Sequence, residues 1–267
     1  QVPLHLPAQR PVEPRLDWGA QPMEPFTREF VVINGALDQE ETRARRDALG
    51  VAVEYDPEGV RRTPAPVLSF PEAGVLPEWV LEALAQNGWS SPKPLQAQAL
   101  PIVLAGRDLV SVAPAGSGKT GAFLLPAIVH IEDQEPLSSA RPGPIAVLLA
   151  PSREQAVHAG DQVAMLLKPS WRSEAHPGGL RSAVFHGGAS KAPGAPAAAA
   201  PSEAHVVVAT PRRLLDLVAE GSLRLARVTY LALGEADRML DLGFSHDVRR
   251  ISALVRPDRQ ALVFSAQ

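Results

Sequence analysis

The segment Ala113-Pro114-Ala115-Gly116-Ser117-Gly118-Lys119-Thr120 follows a short β-branched run and opens a helical pattern, which is the context in which a loop cradles phosphate. Gly116 and Gly118 permit backbone angles that turn successive N–H groups toward one anion at the positive end of a helix. Lys119 is placed to reach β and γ phosphates, and Thr120 to put its hydroxyl on Mg²⁺. The same residues could form a Gly-rich strand-to-helix turn with a chance Lys-Thr. Farther on, Leu233-Gly234-Glu235-Ala236-Asp237 ends another apolar run, where an open α/β sheet puts metal and catalytic carboxylates. Two acids one residue apart are equally suited to the start of a helix, where a carboxylate gains roughly 0.3–1 kcal/mol. Pro151, Thr210 and Pro211 each stand just ahead of a helix after a strand, a placement that offers N–H donors and Arg153 and Arg213 to a nucleic-acid backbone. Ser152 as an N-cap, with both arginines solvated in a first turn, is the plainer alternative.

The elements that must hold these residues follow from periodicity. Strands are expected at Leu109–Ala113, Ile145–Ala150, Ser182–Phe185, His205–Ala209, Val228–Leu233 and Ala261–Ser265. Most are continuous apolar runs, as strands covered on both faces should be. Helices are expected at Glu78–Gln86, Leu95–Leu104, Lys119–Ile131, Arg153–Lys168, Arg213–Ala219, Ala236–Leu242 and Asp247–Leu254. This alternation predicts an α/β domain whose mostly parallel sheet is flanked by helices, over residues 67–267. Residues 1–66 read as a Pro-rich arm with prolines at 3, 7, 11, 14, 22 and 25, then an extension holding one helix, Gln39–Leu49, and an edge strand at Val51-Ala52-Val53. The Ala- and Pro-rich run from Ala192 to Pro201 is expected to be a solvent loop.

Composition excludes other chemistry. With no cysteine among 267 residues there can be no disulfide scaffold, thiolate metal site or cysteine nucleophile. A formal net charge of -3 excludes a broadly basic nucleic-acid coat but leaves a local patch possible. Proline, 27 of 267, runs at about twice its usual frequency of ~5%, while 20 glycines are ordinary. No apolar run approaches the roughly 20 residues of a membrane span. His130, His158 and His186 have no metal-ligand spacing. The chain begins at Gln1 and not Met, so the native start and any targeting peptide are expected to lie upstream; nucleus or cytoplasm is the expected location.

From about Phe26 to Gln267 the sequence resembles the DEAD-box RNA helicases. The likeness rests on Phe70, on Gly88-Trp89-Ser90-Ser91-Pro92-Lys93-Pro94-Leu95-Gln96, on the phosphate loop and on Pro151-Ser152-Arg153-Glu154-Gln155-Ala156. It continues through Gly187-Gly188, Thr210-Pro211-Arg212-Arg213, Gly234-Glu235-Ala236-Asp237 and Ser265-Ala266-Gln267. The resemblance implies a RecA-like domain binding ATP or ADP with Mg²⁺. It makes Phe70, Trp89 and Gln96 the adenine side of the site, with Gln96 reading the base edge. Pro151, Arg153, Gly187, Gly188, Thr210, Pro211 and Arg213 would contact single-stranded RNA through its backbone, independently of sequence. Glu235 would orient the attacking water, and Asp237 would couple the nucleotide to Ser265. A second RecA-like domain or protein partner would complete the groove, and its absence here implies little hydrolysis by this chain alone. The departures are Ala113 for Gly, Lys93 for Thr, Gln155 for Leu, Arg212 for Gly, Gly234 for the Asp that holds Mg²⁺ through water, and Gln267 for Thr. They leave an alternative of a different class, a hydrolysis-impaired scaffold that binds nucleotide or RNA in a larger assembly.

Overall fold

The computed structural model describes residues 17–19, 23–31, 38–57, 59, 62–187 and 200–266. Six strands, β1 (Leu109–Val112), β2 (Ala146–Leu149), β3 (Ser182–Phe185), β4 (Val206–Ala209), β5 (Tyr230–Leu233) and β6 (Gln260–Ser265), form one sheet in the order β1-β6-β5-β2-β4-β3. Every pairing is parallel. The loops leaving the strand C-termini therefore emerge along a single edge, and the segments that begin at Ala113, Pro151, Thr210 and Gly234 follow β1, β2, β4 and β5 there, whereas Gly88–Gln96 precedes β1. In register, Val112 lies opposite Ser265, Leu149 opposite Leu233, and Leu149 opposite Ala209.

The apolar runs of β2 and β4 are buried throughout because successive side chains enter two separate cores. Leu148, Val208 and Phe264 face helices α2 (Glu78–Gln86), α3 (Pro94–Leu104), α4 (Lys119–Glu132) and α5 (Arg153–Leu167). Val147, Leu149, Val207 and Leu231 face α6 (Pro211–Ala219), α7 (Ala236–Asp241) and α8 (Ser245–Leu254) on the other side. β1 is an edge strand, and its Val110 and Val112 are 76% and 65% exposed. No described helix is long and apolar enough to cross a membrane.

Ahead of this body, α1 (Gln39–Leu49) has no buried residue and is held by its arginines. Arg45 pairs with Glu72 at 2.6 Å, and Arg46 donates to Gln98 Oε1 at 2.8 Å and to the carbonyls of Thr63 and Pro64. Phe26 and Phe30 place their rings edge-on against His130, and Phe30 N–H donates to Leu104 O at 2.8 Å. The edge strand expected at Val51-Ala52-Val53 is not formed. Gly50 turns left-handed at the end of α1, and Val51 N–H donates to Arg46 O at 2.9 Å, so the backbone closes the helix instead of pairing with a sheet. Most of the Pro-rich arm, the run 192–199, Gly188 and Gln267 lie outside the described residues.

Candidate nucleotide site and adjoining helix starts

Gly116 (φ +78°) and Gly118 (φ +87°) adopt the left-handed conformations that bend the loop into the start of α4. Gln96 fastens that bend. Its Nε2 donates to Gly118 O at 3.1 Å while its Oε1 accepts from Lys93 N–H at 3.0 Å, and the residue is only 2% exposed. Trp89 and Gln96 press so closely on the helix that a Cβ at Gly121 would fall 2.8 Å from the indole and 2.4 Å from Nε2. Two ammonium groups rest on the loop backbone: Lys93 Nζ donates to Gly116 O at 2.7 Å and Lys119 Nζ to Pro114 O at 3.3 Å. Ser117 Oγ is buried without a hydrogen-bond partner. A hydroxyl in that state, between two left-handed glycines at a helix start, fits a loop that receives an anion.

Below the loop lies a cavity of about 100 Å³ lined by Lys119, Thr120, Phe123, residues 148–151, Gln155, His158, Ala159, Gly234, Glu235 and Phe264. Glu235 is the only non-glycine with a positive φ among the described residues (φ 53°), a conformation that costs of order 1–3 kcal/mol and persists where the surroundings enforce it. It precedes α7 without capping it through its side chain, which lies 3.8 Å from Arg238. Asp237 Oδ2 accepts from Ala266 N–H at 3.1 Å, so the second acid ties α7 to the end of β6. In turn Ser265 O accepts from Ala113 N–H at 3.0 Å, which joins β6 to the first residue of the Ala113–Thr120 loop. Gly234 needs no glycine: a Cβ there would meet Leu149 O at 3.4 Å and Leu148 Cδ1 at 3.7 Å, ordinary contacts.

Thus Lys119, Thr120 and Glu235 share one cavity, and Gln96 and Trp89 pack against the start of α4. Phe70 is 3% exposed and packs in the core. The strands that lead into α5 and α6, β2 and β4, are paired, so the two helices start from adjacent strand ends although they cover opposite faces of the sheet. Ser152 Oγ caps α5 by accepting from Gln155 N–H at 3.3 Å, which leaves Arg153 exposed, while Pro151 is buried. Thr210 and buried Pro211 begin α6, Gly187 is exposed beyond β3, and Arg213 pairs with Glu220 at 3.0 Å. Arg212 turns away from these neighbours, stacking over Phe244 at 5.3 Å and lying 3.5 Å from Asp247. Gln155 and His158 were not singled out from the sequence as cavity residues. Their i, i+3 spacing on α5, with Ala156 and Ala159 facing inward, is the signal that could have placed them there. Among the described residues no group of three or more His, Asp or Glu side chains could hold a metal unaided.

A model of the DEAD/DEAH box helicase family matches residues 93–266. The chain belongs to that family. Within it, the DEAD-box ATP-dependent RNA helicases are close in sequence. The ATP-dependent RNA helicase DBP2 of Mycosarcoma maydis is 40% identical over 255 residues, 94% of this chain and 43% of that protein. DEAD-box ATP-dependent RNA helicase 24 of Oryza sativa subsp. japonica is 42% identical over 258 residues, 95% of this chain and 31% of the relative. The chain therefore spans less than half the length of these relatives. Among solved structures, the RNA helicase Prp28 from Chaetomium thermophilum bound to ADP aligns with TM-score 0.70 and 30% identity, over 88% of this chain and 52% of that one. A DEAD box protein from Methanococcus jannaschii aligns with TM-score 0.60 and 30% identity, over 76% and 51%. The fold of this DEAD-box chain is the RecA-like one, an all-parallel sheet between helices.

Proposed function

We propose that this domain binds an adenine nucleotide with Mg²⁺ at the Ala113–Thr120 loop and single-stranded RNA backbone along the starts of α5 and α6, as the ATP-binding half of an RNA helicase. The chain of contacts from the loop through Ser265 and Ala266 to Asp237 carries this reading, since it links an anion-binding loop to a carboxylate-bearing helix by two hydrogen bonds. Lys119 and the loop N–H groups would hold the phosphates, and the Thr120 hydroxyl would be the protein's ligand to the metal. When bound, Mg²⁺ offsets the negative charge that gathers on the phosphates. Glu235 orients water at the cavity mouth. Gln96 acts first as a brace, because both ends of its carboxamide are engaged by backbone. A second RecA-like unit, elsewhere in a longer chain or on a partner, closes the groove.

Titration with fluorescent ADP and GDP tests the nucleotide claim. Lys119→Ala is expected to weaken ADP binding at least about 10-fold, as loss of a charged hydrogen bond of roughly 1.5–3 kcal/mol requires. Gln96→Ala should weaken both nucleotides by a few-fold through the loosened loop; a fall for ADP alone would assign the carboxamide to the base. No binding of either nucleotide at millimolar concentration sinks the proposal.

The RNA face gives a second expectation. Because Arg212 is held by Phe244 and Asp247, Arg212→Ala should leave single-stranded RNA affinity within about 2-fold of the parent. It should lower unfolding free energy by about 1 kcal/mol through the lost cation–π contact and exposed ion pair. Anisotropy with a labelled oligonucleotide at two salt concentrations, beside urea unfolding, reads both. A tenfold loss of RNA affinity would place Arg212 on the strand.

A further inference from the structure

Gln155 and Gly234, two positions where the sequence departs from the DEAD-box pattern, line the same cavity. Gln155 sits in the first turn of α5, its N–H held by the Ser152 cap, so the side chain starts from a fixed point. Its Oε1 is buried and has no hydrogen-bond partner among the described residues. An amide oxygen in that state costs about 1–3 kcal/mol, and native proteins keep one where a water or ligand supplies the donor. The neighbouring charged groups already have partners: Lys119 Nζ reaches Pro114 O, and Glu235 faces Arg238. Among the residues that line the cavity with the Thr120 hydroxyl and Gly234, which has no side chain, Gln155 thus brings a neutral carboxamide oxygen without a hydrogen-bond partner among the described residues.

We propose that Gln155 Oε1 positions a water in the outer shell of the nucleotide-bound Mg²⁺, on the wall that Gly234 leaves without a carboxylate. The proposal rests on the nucleotide reading above. A divalent cation polarises its waters and turns their hydrogens outward, and an amide oxygen accepts one such hydrogen without bringing a charge. Charge-assisted hydrogen bonds are roughly twice as strong as neutral ones, so this chain should hold Mg²⁺ less tightly than a carboxylate site but more tightly than a cavity with an apolar wall. Gln155 is thus a positioning residue, acting on the metal through water.

The experiment compares fluorescent ADP affinity with and without Mg²⁺, so that the ratio isolates the metal, and adds a Mn²⁺ titration in the presence of ADP followed by electron paramagnetic resonance. Gln155→Leu is expected to leave metal-free ADP affinity unchanged while cutting both the Mg²⁺-dependent gain and the Mn²⁺ affinity about 10-fold. Gln155→Glu should raise both. Gly234→Asp placed in the Gln155→Leu background should recover what the Leu variant loses. Gln155→Leu and Gln155→Glu proteins that each match the parent's metal dependence would overturn the assignment. Failure of the parent to bind ADP at millimolar concentration both with and without metal is a separate result, which removes the nucleotide reading and this inference with it.

Discussion

Gly234→Asp is expected to raise the Mg²⁺-dependent part of ADP affinity by about 10- to 100-fold, the usual effect of an outer-shell group on a metal site. In free energy that is roughly 1.4–2.7 kcal/mol. The backbone can accept the change: residue 234 has an ordinary φ, and the new Cβ would meet only Leu149 O and Leu148 Cδ1 at normal separations. The added carboxylate would join Glu235 on the cavity wall, and the Lys119 ammonium lining the same wall offsets part of the like-charge repulsion. Metal-free ADP affinity should hardly move, because the loop N–H groups and Lys119 remain. Calorimetric titration with and without Mg²⁺ separates the two, and an unchanged metal dependence in a folded variant would show that residue 234 does not limit the site.

Acid should destabilise the domain well before its carboxylates titrate. Burial pushes the His130 imidazole down to about 3, helped by the nearby positive charges of Arg28 and Arg256. Burial likewise brings His205 to about 3, with His176, Arg181 and Arg227 adding to the effect. Both pKa values lie below the unfolded value of about 6.5, so the folded state binds fewer protons than the unfolded one. Their contribution is complete above pH ~6.5 and is lost progressively as pH falls from there toward 3. At pH 5 the loss is of order 2 kcal/mol per histidine. Urea unfolding at pH 7, 6 and 5 should show it, and His130→Gln should flatten the slope by up to one proton. Equal stability at pH 7 and pH 5 would contradict the buried neutral state of both rings.

The sheet was legible because β2, β4 and β5 are buried on both faces and so carry uninterrupted apolar runs. The edge strand β1 was found through the loop that follows it. Val51–Val53 shows the limit of alternation: the same pattern arises where a backbone N–H is needed to close a helix. The phosphate loop and the two acids were readable as types at a spacing, but their partners were not. Asp237 bonding to Ala266 depends on α7 meeting the end of β6, a tertiary fact. Phe70 matches the motif by type and spacing, and its burial in the core became visible only with the packing. Gln155 stood out in the sequence only as a departure from the family's Leu, and the packing of α5 over the strand ends shows that its oxygen is enclosed. Arg212 could not be given a direction until Phe244 and Asp247 were placed beside it.

The closeness of Trp89 to Gly121 makes the indole a built-in optical probe of the loop. The other indoles have different surroundings: Trp79 is buried in the core, Trp171 stands in solvent, and Trp18 donates to Ala253 O. Light emitted by Trp89 thus depends on how α4 begins, while emission from the other three reports on other parts of the molecule. A version with phenylalanine at 18, 79 and 171 would turn the state of the phosphate loop into a single emission band that can be followed in real time without an attached dye.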